Sequence, residues 1–233
     1  MKAARRWRLH APLALLAAHA GVRAASDAAT GPAPRAPVDV SRLPAPGSYR
    51  LPRIIRAPDG EVLDVDGRAH RLHRLLAGRL TVLSFMYTYC RDPEGCPKAW
   101  AAMEGLHAAL RAEAPLAAVS QLVSLSFDPS HDTPQQMRLY GGERARDARV
   151  RWRFLTTRSV PALLPLLDGF GQDVTVETDE RGRPARTLNH LLKLFLIDDQ
   201  LQVREIYSVA TLAPEAMLND LRTLSLERAA LKP

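Results

Sequence analysis

The 233-residue chain carries 32 basic and 25 acidic side chains, a formal net charge of +7. Lys2, Arg5, Arg6, Arg8 and Arg23 fall within residues 1–24 with no acid beside them, so the remainder holds 27 basic against 25 acidic residues and is near neutral at +2. A nucleic-acid role would want a clustered basic surface in the folded part, which this balance does not favour, and no phosphate loop, pair of catalytic carboxylates or Ser-His-Asp grouping is present in the sequence.

The basic start and the apolar residues 11–22 read as an export signal, since the apolar run is too short to span a bilayer and is interrupted by Pro12 and His19. Val22-Arg23-Ala24 offers a small-x-small cleavage site, with Ala25 as the new N-terminus of an exported, periplasmic protein; an uncleaved N-terminal anchor is the rival reading. Residues 25–48 are rich in Ala and Pro without a hydrophobic period and form an extended tether. One domain is expected over residues 49–226, about 180 residues and enough for a sizeable core, followed by a tail at 227–233. There is no internal repeat.

Within the domain, residues 51–66 suggest a short hairpin with turns at Pro58-Asp59-Gly60 and Asp66-Gly67, and residues 71–78 a helical turn closed by Gly78. Residues 80–87 are apolar, β-branched or aromatic at nearly every position, as in a strand covered on both faces. Asp92-Pro93-Glu94-Gly95 is a turn, and Pro97 then sits at the first position of a helix whose buried stripe is Trp100, Met103, Leu106 and Leu110. Residues 119–127 form a second strand, and a helix opens at Thr133-Pro134. Arg144, Arg146, Arg149, Arg151 and Arg153 cluster, but Glu143 and Asp147 interleave them, so the run reads as a solvated face. A strand at 152–156, a helix at 160–170 and a polar, hairpin-like excursion at 173–186 follow. His190 then leads an antiparallel strand pair, 191–197 and 201–207, and Pro214 starts a last helix with Leu218, Leu221 and Leu224 inward.

The chemistry concentrates in residues 84–100, which hold both cysteines, Cys90 and Cys96. Cys96 falls at the cap of the new helix, where the helix dipole favours thiolate over thiol. A structural disulfide is the plain alternative, but closing so short a loop stabilises little, so a redox or soft-metal role is favoured. Tyr87 and Trp100 pack under the site and limit water. Asp92 and Glu94, between the cysteines, read as a solvated turn, with tuning of the thiolates or a hard ligand for Cu(II) as the sharper alternative. Of the seven histidines, His10 and His19 leave with the leader, His70 and His73 face solvent, and His107 is about three turns along the helix from Cys96, too far to share a metal. His131 is a reserve ligand in the loop after the second strand.

The pattern Phe85-x-Tyr87-Thr88-x-Cys90, a short loop, then Cys96-Pro97 resembles the Sco/SenC proteins, as do the stretch with Asp128-Pro129 and Asp132-Thr133-Pro134 and the strand at 152–156. The resemblance covers about residues 51–226. It implies a single thioredoxin-like α/β domain: a central mixed sheet flanked by helices, with an N-terminal hairpin. It also implies copper, Cu(I) or Cu(II), held by Cys90, Cys96 and His190, and delivery to cytochrome oxidase or another cuproprotein, with a thiol reductant protein as a further partner. The chain departs from the family in having five residues between its cysteines where three are usual. It also has Asn189 and Leu191 beside the histidine where Asp and Ser are usual, and Asp199 in place of a turn proline. Two other readings stay open: a thiol–disulfide oxidoreductase using the same pair, and a redox or copper sensor.

Overall fold

The computed structural model describes residues 38–90, 92, 94–178 and 184–230, without the side chains of 176–178 and 184–190. A short 3-10 turn, Val40–Arg42, precedes the first strand, Ile55–Arg56 (β1), which pairs antiparallel with a late strand. Glu61–Leu63 (β2) and Ala69–Arg71 (β3) form a separate hairpin. The expected hairpin over 51–66 is therefore corrected. Ile54 and Ala57 donate their amides to Val203 and Leu201, which commits β1 to the main sheet, and the turn at Asp66-Gly67 belongs to β2–β3. Leu72–Leu76 (α1) follows, closed by Gly78 at φ +75°.

Leu80–Met86 (β4) is buried at every position. It lies between two neighbours in the sheet and is covered on both faces, so Leu, Val and Phe replace the alternation of a half-exposed strand. Cys96–Ala112 (α2) and an unanticipated short helix, Ala114–Val119 (α3), lead to Ser120–Ser126 (β5). Pro134–Gly141 (α4) is capped by Thr133, whose hydroxyl accepts from the Gln136 amide at 3.3 Å. Then come Trp152–Leu155 (β6), Val160–Gly169 (α5), the pair Val174–Thr178 (β7) and Pro184–His190 (β8), the strands Leu194–Ile197 (β9) and Gln202–Tyr207 (β10), and Pro214–Ala230 (α6). Helices α2 to α5 each carry proline in their first two positions, where its missing amide removes no helical bond.

The main sheet runs β1-β10-β9-β4-β5-β6; β4, β5 and β6 are parallel, and β9, β10 and β1 are antiparallel to their neighbours. Register divides its faces. On one, Phe85 meets Phe195 and Phe170 from the end of α5. On the other, Trp152 and Phe154 meet Trp100 of α2 and Tyr140 of α4. A mixed sheet with helices on both faces is the expected thioredoxin-like architecture. β5 is also wholly buried, although four of its residues are polar. Three of the four are partnered: Gln121 donates to Leu75 O and to Thr81 Oγ1, Ser124 accepts from Trp152 Nε1, and Ser126 donates to Asp132; paired in this way, polar groups are tolerated in a core.

The chain docks earlier and ends later than the sequence suggests. Pro44 O accepts from Asn219 Nδ2 at 2.9 Å and the Gly47 amide donates to Thr223 Oγ1 at 3.1 Å, so the last residues of the expected tether lie along α6. α6 itself runs through Glu227 and Arg228 to Ala230. Glu227 reaches the buried Arg204, which also holds Asp198 at 2.9 Å.

Candidate metal centre

The cysteine loop leaves the C-terminal end of β4 and is tied down by the turn that follows β5. Asp132, fully buried, accepts from the Thr88 amide at 3.1 Å, from Thr88 Oγ1 at 2.5 Å and from Ser126 Oγ at 2.6 Å. Next to it, Tyr89 donates its hydroxyl to Asp128 at 2.7 Å. Two strands that are neighbours in the sheet thus lock their loops together directly before Cys90. Sequence reasoning assigned Asp132 no role, because a carboxylate beside a helix start looks like a surface residue until its burial is known.

Cys90 is half-buried, Cys96 is buried, the two are not joined in a disulfide, and the Cys96 thiol is hydrogen-bonded to Cys90. Gly95 occupies the cap and Cys96 the first helical position, one residue further in than expected. The expected acidic thiol is corrected as well. Burial pushes the Cys96 pKa well up, with the neighbouring Cys90 adding to the rise, and the backbone hydrogen bond at Tyr87 only partly offsets it. Burial thus favours the thiol over the thiolate at Cys96.

Around the pair lies a cavity of about 390 Å³ lined by Tyr87, Thr88, Cys90, Cys96, Pro97, Trp100 and Tyr140. Tyr140, from α4, was not anticipated; its ring packs on Trp100 with centroids 4.6 Å apart, and burial, then Cys96, raise its hydroxyl pKa. Tyr87 and Trp100 sit against the thiols as expected. Asp92 and Glu94 are used locally: Asp92 Oδ1 accepts from the Glu94 amide at 3.0 Å, and Glu94 pairs with Lys98 one turn on. That is the plain turn reading.

The histidines separate. His70 lies 2.7 Å from Asp64 and His73 2.7 Å from Ala57 O, so both are partnered and partly buried where solvent exposure was expected. His107 packs on Trp152 and lies 3.1 Å from Asp147. His131 is exposed and its ring leans on Tyr89, 4.6 Å between centroids, outside the lining of the cavity. The side chain of His190 lies outside the described residues. Its backbone ends β8, opposite Val174, and does not lead the sheet strand as expected, because residues 191–193 intervene before β9. Leu194, the first residue of β9, is registered with Ser84 of β4, so the chain after His190 enters the sheet at the end from which the cysteine loop leaves. Among the described residues no group of three or more His, Cys, Asp and Glu could hold a metal. The two adjacent thiols form a soft, two-sulfur donor set on their own.

The family model SCO1/SenC matches residues 61–225. Among curated proteins no significant match to the chain is found. Similar solved structures include a SCO1/SenC family lipoprotein from Bacillus anthracis str. Ames, 25% identical, with 73% of this chain and 95% of that one covered at a TM-score of 0.59. ScoI of Bradyrhizobium japonicum with copper bound is 19% identical over 75% and 99% of the two chains, TM-score 0.55. BsSco, described as a member of the Sco family of cytochrome c oxidase assembly proteins with a disulfide switch, is 22% identical over 79% and 100%, TM-score 0.56.

Proposed function

The chain belongs to the SCO1/SenC family, and we propose that it is a copper-binding protein that carries the metal on Cys90 and Cys96, with His190 as third ligand, and passes it to cytochrome oxidase or another cuproprotein. The observation that carries this reading is the pair of thiols in hydrogen-bond contact at a cavity walled by Tyr87, Trp100 and Tyr140. Thiolate suits Cu(I), and an imidazole is a suitable further ligand for either oxidation state. The copper-bound ScoI structure and the membership of BsSco in a family of cytochrome c oxidase assembly proteins support the metal and the class of partner.

Cargo binding must release the proton of the buried Cys96, so loading is coupled to pH and to thiol state. The reduced pair takes the metal; a Cys90–Cys96 disulfide does not, and a thiol reductant protein would restore it. The half-buried Cys90 is the more accessible sulfur and the natural point of entry and exit for copper. Transfer by exchange of ligands needs no bond-breaking chemistry. Residues 1–24 would direct export to the periplasm and be removed at Ala24, leaving the folded domain on its tether.

Anaerobic titration of the reduced protein with Cu(I) against a competing chelator tests this. One equivalent should bind tightly, and Cys90→Ser or Cys96→Ser should each remove most of the affinity. A wild-type protein that binds no copper yet reduces disulfides efficiently would replace the proposal with the oxidoreductase reading.

A further inference from the structure

The basic run at 144–153 reads in the sequence as a solvated face because Glu143 and Asp147 interleave it. In the fold both acids are committed to particular partners. Glu143 pairs with Arg146 at 3.1 Å; Asp147 pairs with Arg111, accepts from the Arg149 amide at 2.8 Å and lies 3.1 Å from His107. The guanidiniums of Arg149, Arg151 and Arg153 are left over, and Arg79 joins them from the residue before β4.

All four line a pocket of about 440 Å³ beside the start of the edge strand β6. Among the described residues none of the four has a carboxylate within ion-pair distance. Two carboxylates share the lining: Asp64, held by His70 and by the amides of Asp66 and Arg68, and Asp147, committed to Arg111 and the Arg149 amide. Two of the arginines are fixed in place by neutral acceptors: Arg79 donates to Ala118 O at 2.9 Å, and Arg153 donates to Gln121 Oε1 at 3.2 Å. Burial and then neighbouring guanidiniums lower the pKa of both, Arg151 being common to the two, and Asp64 offsets this only in part at Arg153. Like charges gathered in a concavity where they outnumber the acids repel one another, and an anion placed among them relieves that repulsion. Guanidinium forks match the oxygens of a tetrahedral oxyanion bidentately, better than the point charge of a lysine would.

We propose that this pocket is a binding site for a phosphate-bearing oxyanion, separate from the cysteine site. Arg79 precedes β4 and Cys90 follows it, so the seven residues of the strand set the two sites roughly 20 Å apart, at opposite ends of the sheet. Occupancy of one therefore leaves the ligands of the other in place.

Calorimetric titration of the purified protein with pyrophosphate at low salt is the first arm of the test. Sedimentation with vesicles of phosphatidylglycerol and phosphatidylcholine is the second. One pyrophosphate per chain should bind and raise the thermal midpoint, and Arg79→Gln/Arg151→Gln should weaken binding by about tenfold or more. Arg151→Gln alone, a change at an exposed side chain, should weaken it measurably without loss of fold. Arg53→Gln/Arg56→Gln, which removes the same charge near the opposite edge strand, should leave binding unchanged. Vesicle binding with the same arginine dependence, and no binding of pyrophosphate, would assign the phosphate to a lipid headgroup. Absence of both, or a double variant that binds as well as the wild type, overturns the proposal. Because copper binding does not involve these residues, the Cu(I) titration stands or falls separately.

Discussion

At the start of α2, two effects act on one thiol in opposite directions. The helix N-terminus favours the thiolate by roughly 0.3–1 kcal/mol, while burial of an anion costs several times that. For Cys96 burial prevails. The residue on which the metal assignment turns is His190. Disulfide exchange needs a thiolate, a resolving thiol and access, and no imidazole, whereas Cu(II) on thiolates seeks a nitrogen ligand as well. His190→Ala should therefore leave the thiol–disulfide potential nearly unchanged and abolish or strongly alter the Cu(II)–thiolate absorption; a wild-type spectrum and affinity would remove His190 from the site. Asp132 works through Thr88. Asp132→Ala leaves the Thr88 amide, the Thr88 hydroxyl and the Ser126 hydroxyl without their acceptor in a buried place. Each unpaired group costs about 1–3 kcal/mol, so denaturant unfolding should show a loss of at least about 2 kcal/mol. Loosening of the loop before Cys90 should weaken Cu(I) binding by about 10–100-fold. Asp132→Asn, which keeps an acceptor, should recover part of both.

Among the elements, the contact of α4 with β6 sets the outer wall of the cavity, because the same helix carries Tyr140. The approach is close enough to require glycine: a Cβ on Gly141 would lie 2.6 Å from the ring of Phe154, which is itself fixed among Trp100, Trp152 and Tyr140. Gly141→Ala should cost about 1–3 kcal/mol of stability and displace α4. Tryptophan fluorescence, dominated at this face by Trp100 and Trp152, should report the shift; an unchanged spectrum and unchanged stability would show that the helix has room to spare. The β2–β3 hairpin is held differently, through the carboxylate of Asp64.

Over the whole molecule, stability should fall on the acid side. Asp59, Asp64 and Asp147 all have pKa values below the ordinary 3.8. In each, burial pushes the value up and donors outweigh it: the His73 amide and Arg71 for Asp59, His70 and the Arg68 amide for Asp64, the Arg149 amide and Arg111 for Asp147. A folded pKa below the unfolded one contributes stability that is fully present above about pH 4 and is lost as pH falls through the folded value. Asp220 acts with the opposite sign: burial raises its pKa despite the hydroxyls of Tyr49 and Tyr207, so the folded state is disfavoured as pH rises above 3.8. Thermal midpoints followed from pH 6 downward should drop below pH 4. Asp64→Asn should shallow that drop, and an unchanged slope would show that the carboxylate is not linked to folding.

Local chemistry alone determined much of this protein. The run at 80–86 declares a covered strand, proline at 97, 134 and 214 marks where helices begin, and Phe85, Tyr87, Thr88, Cys90, Cys96 and Pro97 indicate both family and sulfur chemistry, because each depends only on near neighbours. Three things depended on contacts far apart in the chain, and only the tertiary structure decided them. The partner of β1 was decided by β10, nearly 150 residues later, against the nearer hairpin. The upward direction of the Cys96 pKa was decided by its burial and by the neighbouring Cys90, against the dipole that the sequence suggests. The partners of the acids in the basic run were decided by the fold: Arg111 and His107 on α2 take Asp147 and Arg146 takes Glu143, which leaves Arg149, Arg151 and Arg153 outside ion-pair distance of any described carboxylate. Burial and pairing are properties of the assembled fold, so a residue's charge state and partners follow from what packs around it.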